Sequence, residues 1–207
     1  MTELPLGAPI ASFVVRGQPA PQGSKKAFPI YRGSGADRVF TGRTSVVEQL
    51  NERIKTWRTS VVNAAQRVVF CDCGDPHCRA MVDGFPFDEP LIARMVFSFA
   101  RPKSHYRSGK WAHLLKDSAP MRPSAPPDVS KLARSTEDAL KDVGFYKDDA
   151  RIVDYARLAK VWCREDPEAL PTPGAVLSFW RLPPGEVMPP RITDLDQLSL
   201  DSLLGSD

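Results

Sequence analysis

The sequence predicts an α/β fold, namely a small single domain with a mixed sheet, two main helices, long basic loops and an acidic C-terminal tail. Three observations lead to this prediction. Two segments have the apolar period of an amphipathic helix, four have the composition of strands, and stretches rich in Gly, Pro and basic residues separate them. The length of 207 residues, with 42% hydrophobic and 26% charged residues, suits one globular domain. We therefore expect a domain over residues 1–182 and a tail over residues 183–207.

The first half of the domain contains one strand, one long loop and one helix. Residues 10–16 are typical of a strand, and the Gly-, Pro- and Lys-rich residues after them are typical of a loop. Apolar residues at steps of three and four then predict an amphipathic helix from about residue 45 to residue 66. Trp57 lies on the apolar stripe of this helix, so we expect it in the core.

The second half supplies three strands and the second helix. Alternation along residues 91–100 predicts a strand, and a basic loop follows it. A helical stripe from Leu132 to Val143 ends at Gly144, where a left-handed residue is favoured. Residues 152–162 and 175–180 are typical of two further strands.

Charge is distributed unevenly along the chain. The net charge is +3, but residues 183–207 contain five acidic residues against one arginine, so the body is basic and the tail acidic. Residues 16–43 and residues 101–127 each hold six Lys or Arg and a single acid. Such stretches are either solvated surface or a nucleic-acid interface, and the aromatic and His residues among the cations favour nucleic acid. The candidate DNA-binding residues are Lys25, Lys26, Arg101, Lys103, Arg107, Lys110 and Lys131.

The sequence has no apolar run long enough to span a membrane, and the segment MTELPLGAPI lacks the basic and apolar regions of a secretion signal. We therefore expect a cytoplasmic protein without a membrane partner.

Carboxylates flank the second predicted helix. Asp128 precedes it, and Asp148 and Asp149 precede the strand that returns from it, so packing of the helix on the sheet could bring Asp128 and Asp149 together. Mg²⁺ takes oxygen ligands, and two or three carboxylates beside a basic groove suffice to hold the ion against a phosphate. The alternative is that Asp128 complements the positive end of the helix while the other two form a turn.

The spacing of residues in this region carries a family resemblance. The order is Asp128-Val129-Ser130-Lys131-Leu132, Arg134, Asp138-Ala139-Leu140, Gly144-Phe145-Tyr146, Asp148-Asp149 and Val153-Asp154-Tyr155. This pattern resembles the RusA-type Holliday-junction resolvases, in which an Asp-x-Asp segment opens a helix and an Asp-Asp pair leads into a strand. Residues 17–25 are similar to the Gly-, Pro- and Lys-rich entry of that family, whereas residues 68–90 and the tail lie outside the resemblance.

The resemblance implies a homodimeric endonuclease, dependent on Mg²⁺ or Mn²⁺, that binds four-way DNA junctions and makes paired nicks in opposing strands. By position it implies that Asp128 and Asp149 are metal ligands, with Asp148 as a neighbour or auxiliary ligand. Arg134 stands where the family has a lysine, and its guanidinium can hold a phosphate. Residues 1–182 would then be a RusA-like nuclease domain.

Ser130 departs from the family, which has aspartate there. A serine hydroxyl is a poor substitute for a carboxylate on Mg²⁺ but a good N-cap for a helix that starts at Lys131. Either the ion is held by Asp128, Asp149, water and the scissile phosphate, or catalysis is weak and the protein chiefly binds branched DNA.

Two further motifs extend these predictions. Cys71, Cys73, His77 and Cys78, in an insertion over residues 70–90, are soft ligands suited to Zn²⁺, although their spacing is unusual; Cys163 could complete the site. The alternative is a polar insertion with reduced thiols. In the tail, Gln197, Leu198, Ser199 and Leu200 resemble the short peptide that docks on the sliding clamp. The alternative is a disordered acidic end or a short amphipathic helix packed on the body of the protein.

Overall fold

The computed structural model describes residues 6–23, 25–35, 38–48, 52–73 and 80–182. Its main sheet has four strands in the order β1, β6, β4, β5, where β4 and β5 are parallel and the other pairs are antiparallel. The strands are β1 (Ala11–Arg16), β4 (Leu91–Phe99), β5 (Ile152–Trp162) and β6 (Gly174–Arg181). The predicted mixed sheet is confirmed, and each of its strands matches a predicted one within one or two residues.

Two helices cover one face of the sheet. They are α1 (Glu52–Val69) and α2 (Val129–Asp142), and both contact each other as well as the strands. The apolar stripe of α1 predicted from the sequence is buried, and Trp57 is only 1% exposed. Its indole Nε1 donates a hydrogen bond to Oγ1 of Thr136 on α2 at 3.2 Å. This contact fixes the spacing between the two helices.

One predicted loop is instead a pair of strands. Lys25–Arg32 forms β2, Val39–Glu48 forms β3, and the two pair antiparallel in a separate two-stranded sheet. The prediction that α1 begins near residue 45 is therefore wrong, because the β-branched residues at that point continue β3 and the helix begins at Glu52. Residues 16–43 are rich in Gly, Pro and Ser, among them Pro29, Gly33, Gly35 and Gly42, and this composition is typical of a loop.

The second basic stretch is a loop, as predicted. Between β4 and α2 it contains only two single turns of 3₁₀ helix, Lys103–His105 and Gly109–Trp111. The residue after α2 that the sequence marks as a cap, Gly144, has a φ of 79°. This left-handed backbone suits glycine and ends the helix as expected.

The direction of β5 relative to α2 determines where the acidic residues lie. Tyr155, near the start of β5, donates its hydroxyl proton to the carboxylate of Glu137 in the second half of α2. Lys160, near the end of β5, donates to the carbonyl oxygen of Pro127, just before α2, at 2.7 Å. The strand therefore runs antiparallel to the helix, and the turn before β5 lies beside the C-terminal half of α2.

No helix among the described residues is both long and apolar enough to cross a membrane. The acidic tail and its sequence Gln197, Leu198, Ser199 and Leu200 lie outside the described residues, so the sliding-clamp prediction stays a prediction.

Candidate active site

Asp128 occupies the N-cap position of α2. Its side chain makes no capping hydrogen bond and instead pairs with Lys131, whose Nζ lies 2.8 Å from Oδ2 of Asp128. This hydrogen bond with Lys131, together with the charge of Lys160, lowers the pKa of Asp128. The carboxylate is therefore ionised at neutral pH and more than half exposed, with its side chain 58% accessible.

Asp128 borders a pocket of about 580 Å³. The pocket lies between the loop after β1, the start of α1 and the start of α2. It is lined by Gln18, Pro19, Ala20, Pro21, Gln22, Arg53, Ile54, Phe99, Pro126, Pro127, Asp128 and Lys131. Its charged groups are the cations of Arg53 and Lys131 and the carboxylate of Asp128. This combination suits a phosphate next to a metal ion.

Asp148 and Asp149 stand at the turn that leads into β5. Asp148 caps a single turn of 3₁₀ helix, Asp149–Arg151, by accepting a hydrogen bond from the amide of Ala150 at 3.1 Å. It also accepts a hydrogen bond from Nζ of Lys141 at 2.5 Å. The hydrogen bond from Lys141, followed by that from the Ala150 amide, lowers the pKa of Asp148 to about 2. Asp148 thus has the contacts of a residue that shapes the turn.

Asp149 borders a second pocket, of about 470 Å³, which we call the Asp149 pocket. The lining residues are Gln22, Arg134, Glu137, Asp138, Asp149 and Ala150. The structure therefore brings together Asp149 and Arg134, two of the residues expected in the site. Nζ of Lys141 lies 3.5 Å from Oδ1 of Asp149, so the carboxylate is also flanked by a second cation.

Asp128 and Asp149 line different pockets. The helical neighbours of Asp149 in its pocket, Arg134, Glu137 and Asp138, lie roughly 9–15 Å along the helix from Asp128 at ~1.5 Å per residue. Ligands of a single Mg²⁺ lie about 2.1 Å from the ion, so two carboxylates on one ion must lie within a few ångström of each other. Because the turn before β5 packs beside the C-terminal half of α2, the two carboxylates line neighbouring pockets, and their sharing of one ion stays a prediction.

Gln22 connects the two pockets. Its side chain lines both of them, its backbone amide donates to the carbonyl oxygen of Lys131 at 2.8 Å, and its Nε2 donates to Oδ2 of Asp138 at 3.2 Å. The Gly- and Pro-rich segment after β1 is thus attached along α2. The two pockets are neighbours in one groove beside the helix.

Ser130 lies within the first turn of α2. The helix begins at Val129 with Asp128 at the N-cap, so the prediction that Ser130 caps a helix starting at Lys131 is wrong. The side chain of Ser130 is exposed, and Arg134, one turn further along α2, is exposed as well. The position where the family has a second aspartate is therefore exposed to solvent.

Glu137 is a site residue that the sequence analysis missed. It lines the Asp149 pocket, and burial, as the largest cause, raises its pKa, to which the charges of Asp149 and Asp138 also contribute. Its carboxylate accepts the hydrogen bond from Tyr155, and the backbone carbonyl of Glu137 accepts one from the hydroxyl of Tyr146 at 2.8 Å. The signal in the sequence was its place three residues after Arg134, which puts both on one face of the helix.

The Asp149 pocket has the donor chemistry that a hard cation needs. Its polar groups are carboxylate and amide oxygens next to an arginine, with no sulfur or imidazole among its lining residues. No group of three or more His, Cys, Asp and Glu in the described ranges is arranged to hold a metal ion. Because Mg²⁺ commonly uses one or two protein carboxylates and fills its other positions with water and phosphate, the residues fit that ion.

The predicted DNA-binding residues fall into two groups. Arg101 is held inside the fold: its side chain is 5% exposed and it donates to both carboxylate oxygens of Glu165 and to the carbonyl oxygen of Pro120. We therefore assign Arg101 to holding the basic loop in place and not to contact with DNA. The side chains of Lys103, Arg107, Lys110 and Lys131 are exposed, and Lys25 and Lys26 begin β2.

The predicted zinc ligands are only partly described. Cys71 and Cys73 are exposed, whereas His77 and Cys78 lie outside the described residues. Cys163 follows the end of β5, where its amide donates to the carbonyl oxygen of Phe99, and Cys71 follows α1, where its amide donates to Ala80. Val68 and Val82, close in sequence to Cys71 and Ala80, line a cavity with Arg181, which pairs with Leu91 at the start of β4. Phe99 ends that strand, so Cys163 lies at the other end of the sheet. The expectation that Cys163 completes the site is wrong, and zinc binding by the other four residues stays a prediction.

Comparison with known proteins identifies a family to which the sequence matches. A sequence model described as endodeoxyribonuclease RusA matches residues 44–169, which is more than half of the chain. No curated protein matches the chain significantly. The match places the protein among the DNA endonucleases.

More specifically, the chain belongs to the RusA endodeoxyribonuclease family, as the spacing of its acidic residues predicts. Membership implies an endonuclease that resolves Holliday junctions and acts in DNA recombination. The match covers the end of β3, both helices, β4, β5 and the residues of both pockets, except for the segment after β1.

Proposed function

We propose that the protein is a Mg²⁺-dependent, homodimeric, cytoplasmic endonuclease that introduces paired nicks into opposing strands of four-way or other branched DNA. The observation that carries the proposal is the Asp149 pocket, which is lined by the 43% exposed carboxylate of Asp149 and by the exposed Arg134. Membership of the RusA family supports the substrate class. Mn²⁺ has the same preference for oxygen ligands and is the natural alternative ion.

The residues have distinct roles in this proposal. Asp149 and Asp128 are the ligands for the ion, and Asp148 holds the turn that positions Asp149. When bound, the ion orients the attacking water and offsets negative charge on the phosphorus oxygens. Arg134 binds the scissile phosphate through two parallel hydrogen bonds, which fixes the orientation of the phosphate in the pocket. Gln22 holds the segment after β1 against α2, so both pockets keep their shape.

A homodimer offers a way to unite the two carboxylates. Asp128 and Asp149 lie toward opposite ends of α2, and both are substantially exposed, at 58% and 43% of their side-chain area. A twofold partner with its α2 antiparallel would place Asp128 of each chain next to Asp149 of the other. Twofold symmetry also matches the two equivalent phosphates that a four-way junction presents.

The alternative is a protein that binds branched DNA and cuts it weakly because Ser130 replaces a family aspartate. Both functions need the same basic surface, so binding alone does not separate them. Cleavage of a labelled synthetic four-way junction in Mg²⁺ or Mn²⁺, compared with the same mixture in a chelator, is the direct test. Binding without metal-dependent cleavage would favour the alternative.

Substitution of Ser130 with aspartate tests whether the native site lacks a metal ligand at this position. We expect the cleavage rate to change by less than about tenfold, which corresponds to ~1.4 kcal/mol in the barrier. The physical reason is that water and the phosphate can take the coordination position of a missing carboxylate. Single-turnover cleavage rates of the two proteins provide the measurement.

Ser124→Asp is a suitable control, because it adds the same charge to an exposed position in the loop before α2. A gain of about a hundredfold or more in Ser130→Asp alone, ~2.7 kcal/mol, would show that the native site lacks a ligand and would support the DNA-binding alternative.

A further inference from the structure

The two-stranded sheet of β2 and β3, which we call the arm, extends from the body of the protein. Among the described elements, its strands make extensive contact only with each other. All residues in 27–35 and 38–44 are exposed. An isolated two-stranded hairpin is only marginally stable in water, so a ribbon of this length with no helix packed on it is suited to binding a partner.

The exposed residues of the arm are unusually apolar for a free surface. Five large side chains are 41–66% exposed: Phe28, Ile30, Tyr31, Val39 and Phe40. The described stretches 27–35 and 38–45 contain three arginines and no acidic residue. A surface that combines exposed aromatic rings with positive charge is typical of binding to single-stranded or unpaired nucleic acid.

Tyr31 and Phe40 form an organised pair. Their ring centroids are 5.8 Å apart on paired residues of β2 and β3, and the guanidinium of Arg38 lies 4.1 Å from the ring centroid of Tyr31. These three side chains present flat apolar faces next to a fixed positive charge. Such a group can stack on a base while the arginine contacts a phosphate.

The backbone of the arm supports this pair. The register of the strands shifts between Pro29 and Tyr31, and β3 accommodates the extra residues near Gly42, which has a φ of 76°. The hydroxyl of Thr41 donates to the carbonyl oxygen of Ile30 at 2.7 Å across the shift. Bulges of this kind redirect side chains at the edges of sheets, and here the irregularity lies directly beside the aromatic pair.

We propose that the arm is a DNA-binding ribbon whose Tyr31 and Phe40 stack on unpaired bases at the branch point of the substrate. The inference rests on the proposed function for the nature of the DNA. A two-stranded ribbon fits the major groove of a duplex arm, and the branch point of a junction exposes base faces that a continuous duplex keeps stacked. Because the arm is positively charged, a polyanion such as DNA is favoured as its partner over the equally positive arm of a second copy of the chain.

The test uses the full chain in a chelator, so that cleavage plays no part. The double variant Tyr31→Ala, Phe40→Ala is compared with wild type by fluorescence anisotropy on a four-way junction and on a duplex of the same sequence. We expect junction binding to weaken at least about tenfold, since stacking on each base contributes ~1–3 kcal/mol, and duplex binding to change much less. A 2-aminopurine at the branch point should be quenched by wild type and not by the variant.

Met121→Ala is the matched control, because Met121 is 89% exposed and lies outside the arm. Circular dichroism checks that the fold is kept. Unchanged junction affinity and quenching in the folded double variant would overturn the proposal. A change from dimer to monomer in the double variant, measured by light scattering, would also overturn it, because the arm would then be a subunit contact.

The two proposals fail separately. If wild type binds the junction through the arm but never cuts it in Mg²⁺ or Mn²⁺, the arm stands and the nuclease proposal falls. If wild type cuts the junction and the double variant binds it equally well, the nuclease stands and the arm proposal falls.

Discussion

Asp149→Asn is expected to lower the rate of junction cleavage by about 10²–10³-fold while leaving junction affinity nearly unchanged, since a lost metal ligand removes several kcal/mol of stabilisation from the transition state. Asparagine keeps the size of the side chain and removes its charge. Asp149 is 43% exposed and its nearest ion-pair contact, to Lys141, is 3.5 Å long, so the substitution disturbs little of the fold. The measurements are single-turnover cleavage and junction binding in a chelator.

Asp154→Asn is the matched control. Asp154 belongs to the same stretch of sequence, is exposed on β5 and accepts a hydrogen bond from the amide of Tyr155 at 2.7 Å. We expect it to cleave at close to the wild-type rate. Equal loss of activity in both variants would point to a general effect of removing negative charge from this surface and not to a metal ligand at Asp149.

Asp149→Asn, mixed with Asp128→Asn, also tests whether the site is shared between subunits. Asp128→Asn and Asp149→Asn should each be inactive as homodimers. If each site takes one carboxylate from each chain, mixed dimers contain one intact site and nicking activity returns on mixing. If the ion is held within a single chain, every site in the mixture lacks a ligand and mixing restores nothing.

Trp57→Ala is expected to lower the free energy of unfolding by about 3–5 kcal/mol, the usual cost of removing a buried tryptophan. Trp57 is 1% exposed, packs with its ring centroid 6.2 Å from that of Phe97 on β4, and donates its indole proton to Thr136. The hydroxyl of Thr136 in turn donates to the carbonyl oxygen of Leu132 at 2.9 Å. The substitution therefore leaves a cavity between both helices and the sheet and removes one partner of a buried hydrogen bond.

Two matched variants separate these contributions. Trp57→Phe keeps most of the apolar volume and loses the hydrogen bond, so we expect a loss of about 1–2 kcal/mol. Trp111→Ala removes the same side chain from a position that is 51% exposed and should change stability by about 0.5 kcal/mol or less. Urea titration followed by circular dichroism provides the values. A loss below about 1 kcal/mol for Trp57→Ala would contradict its place in the core.

Regular periodicity made most of the fold predictable. The strand predicted over residues 91–100 and the apolar stripe of α2 are both present in the structure, because their apolar residues pack in the core. The alternation along β4 does not separate core from solvent, since the strand is buried on both faces except at the partly buried Arg94. The arm could not be read in the same way. All residues in 27–35 and 38–44 are exposed, so no alternation between core and solvent marks this part of the strands, and Pro29 and Gly42 are typical of loops.

For the candidate site, the sequence predicts that Asp149 and Arg134 belong together, as they do in one pocket, but it does not predict the distances between the acidic residues. The motif from Asp128 to Asp149 indicates the RusA family, which the family match confirms. In the structure Arg134 lines the same pocket as Asp149. The separation of the two carboxylates depends on how β5 returns along α2, which the sequence leaves open. Glu137 was missed for a similar reason, since its partner Tyr155 comes from that returning strand.

Nick mapping on a synthetic four-way junction, with each strand end-labelled in turn, tests the central claim most directly. We expect wild type in Mg²⁺ or Mn²⁺ to nick two opposing strands at symmetric positions, with no product in a chelator and with cleavage about 10²–10³-fold slower in Asp149→Asn. Tight junction binding by wild type without metal-dependent nicks in either ion would contradict the nuclease assignment and leave a protein that recognises branched DNA.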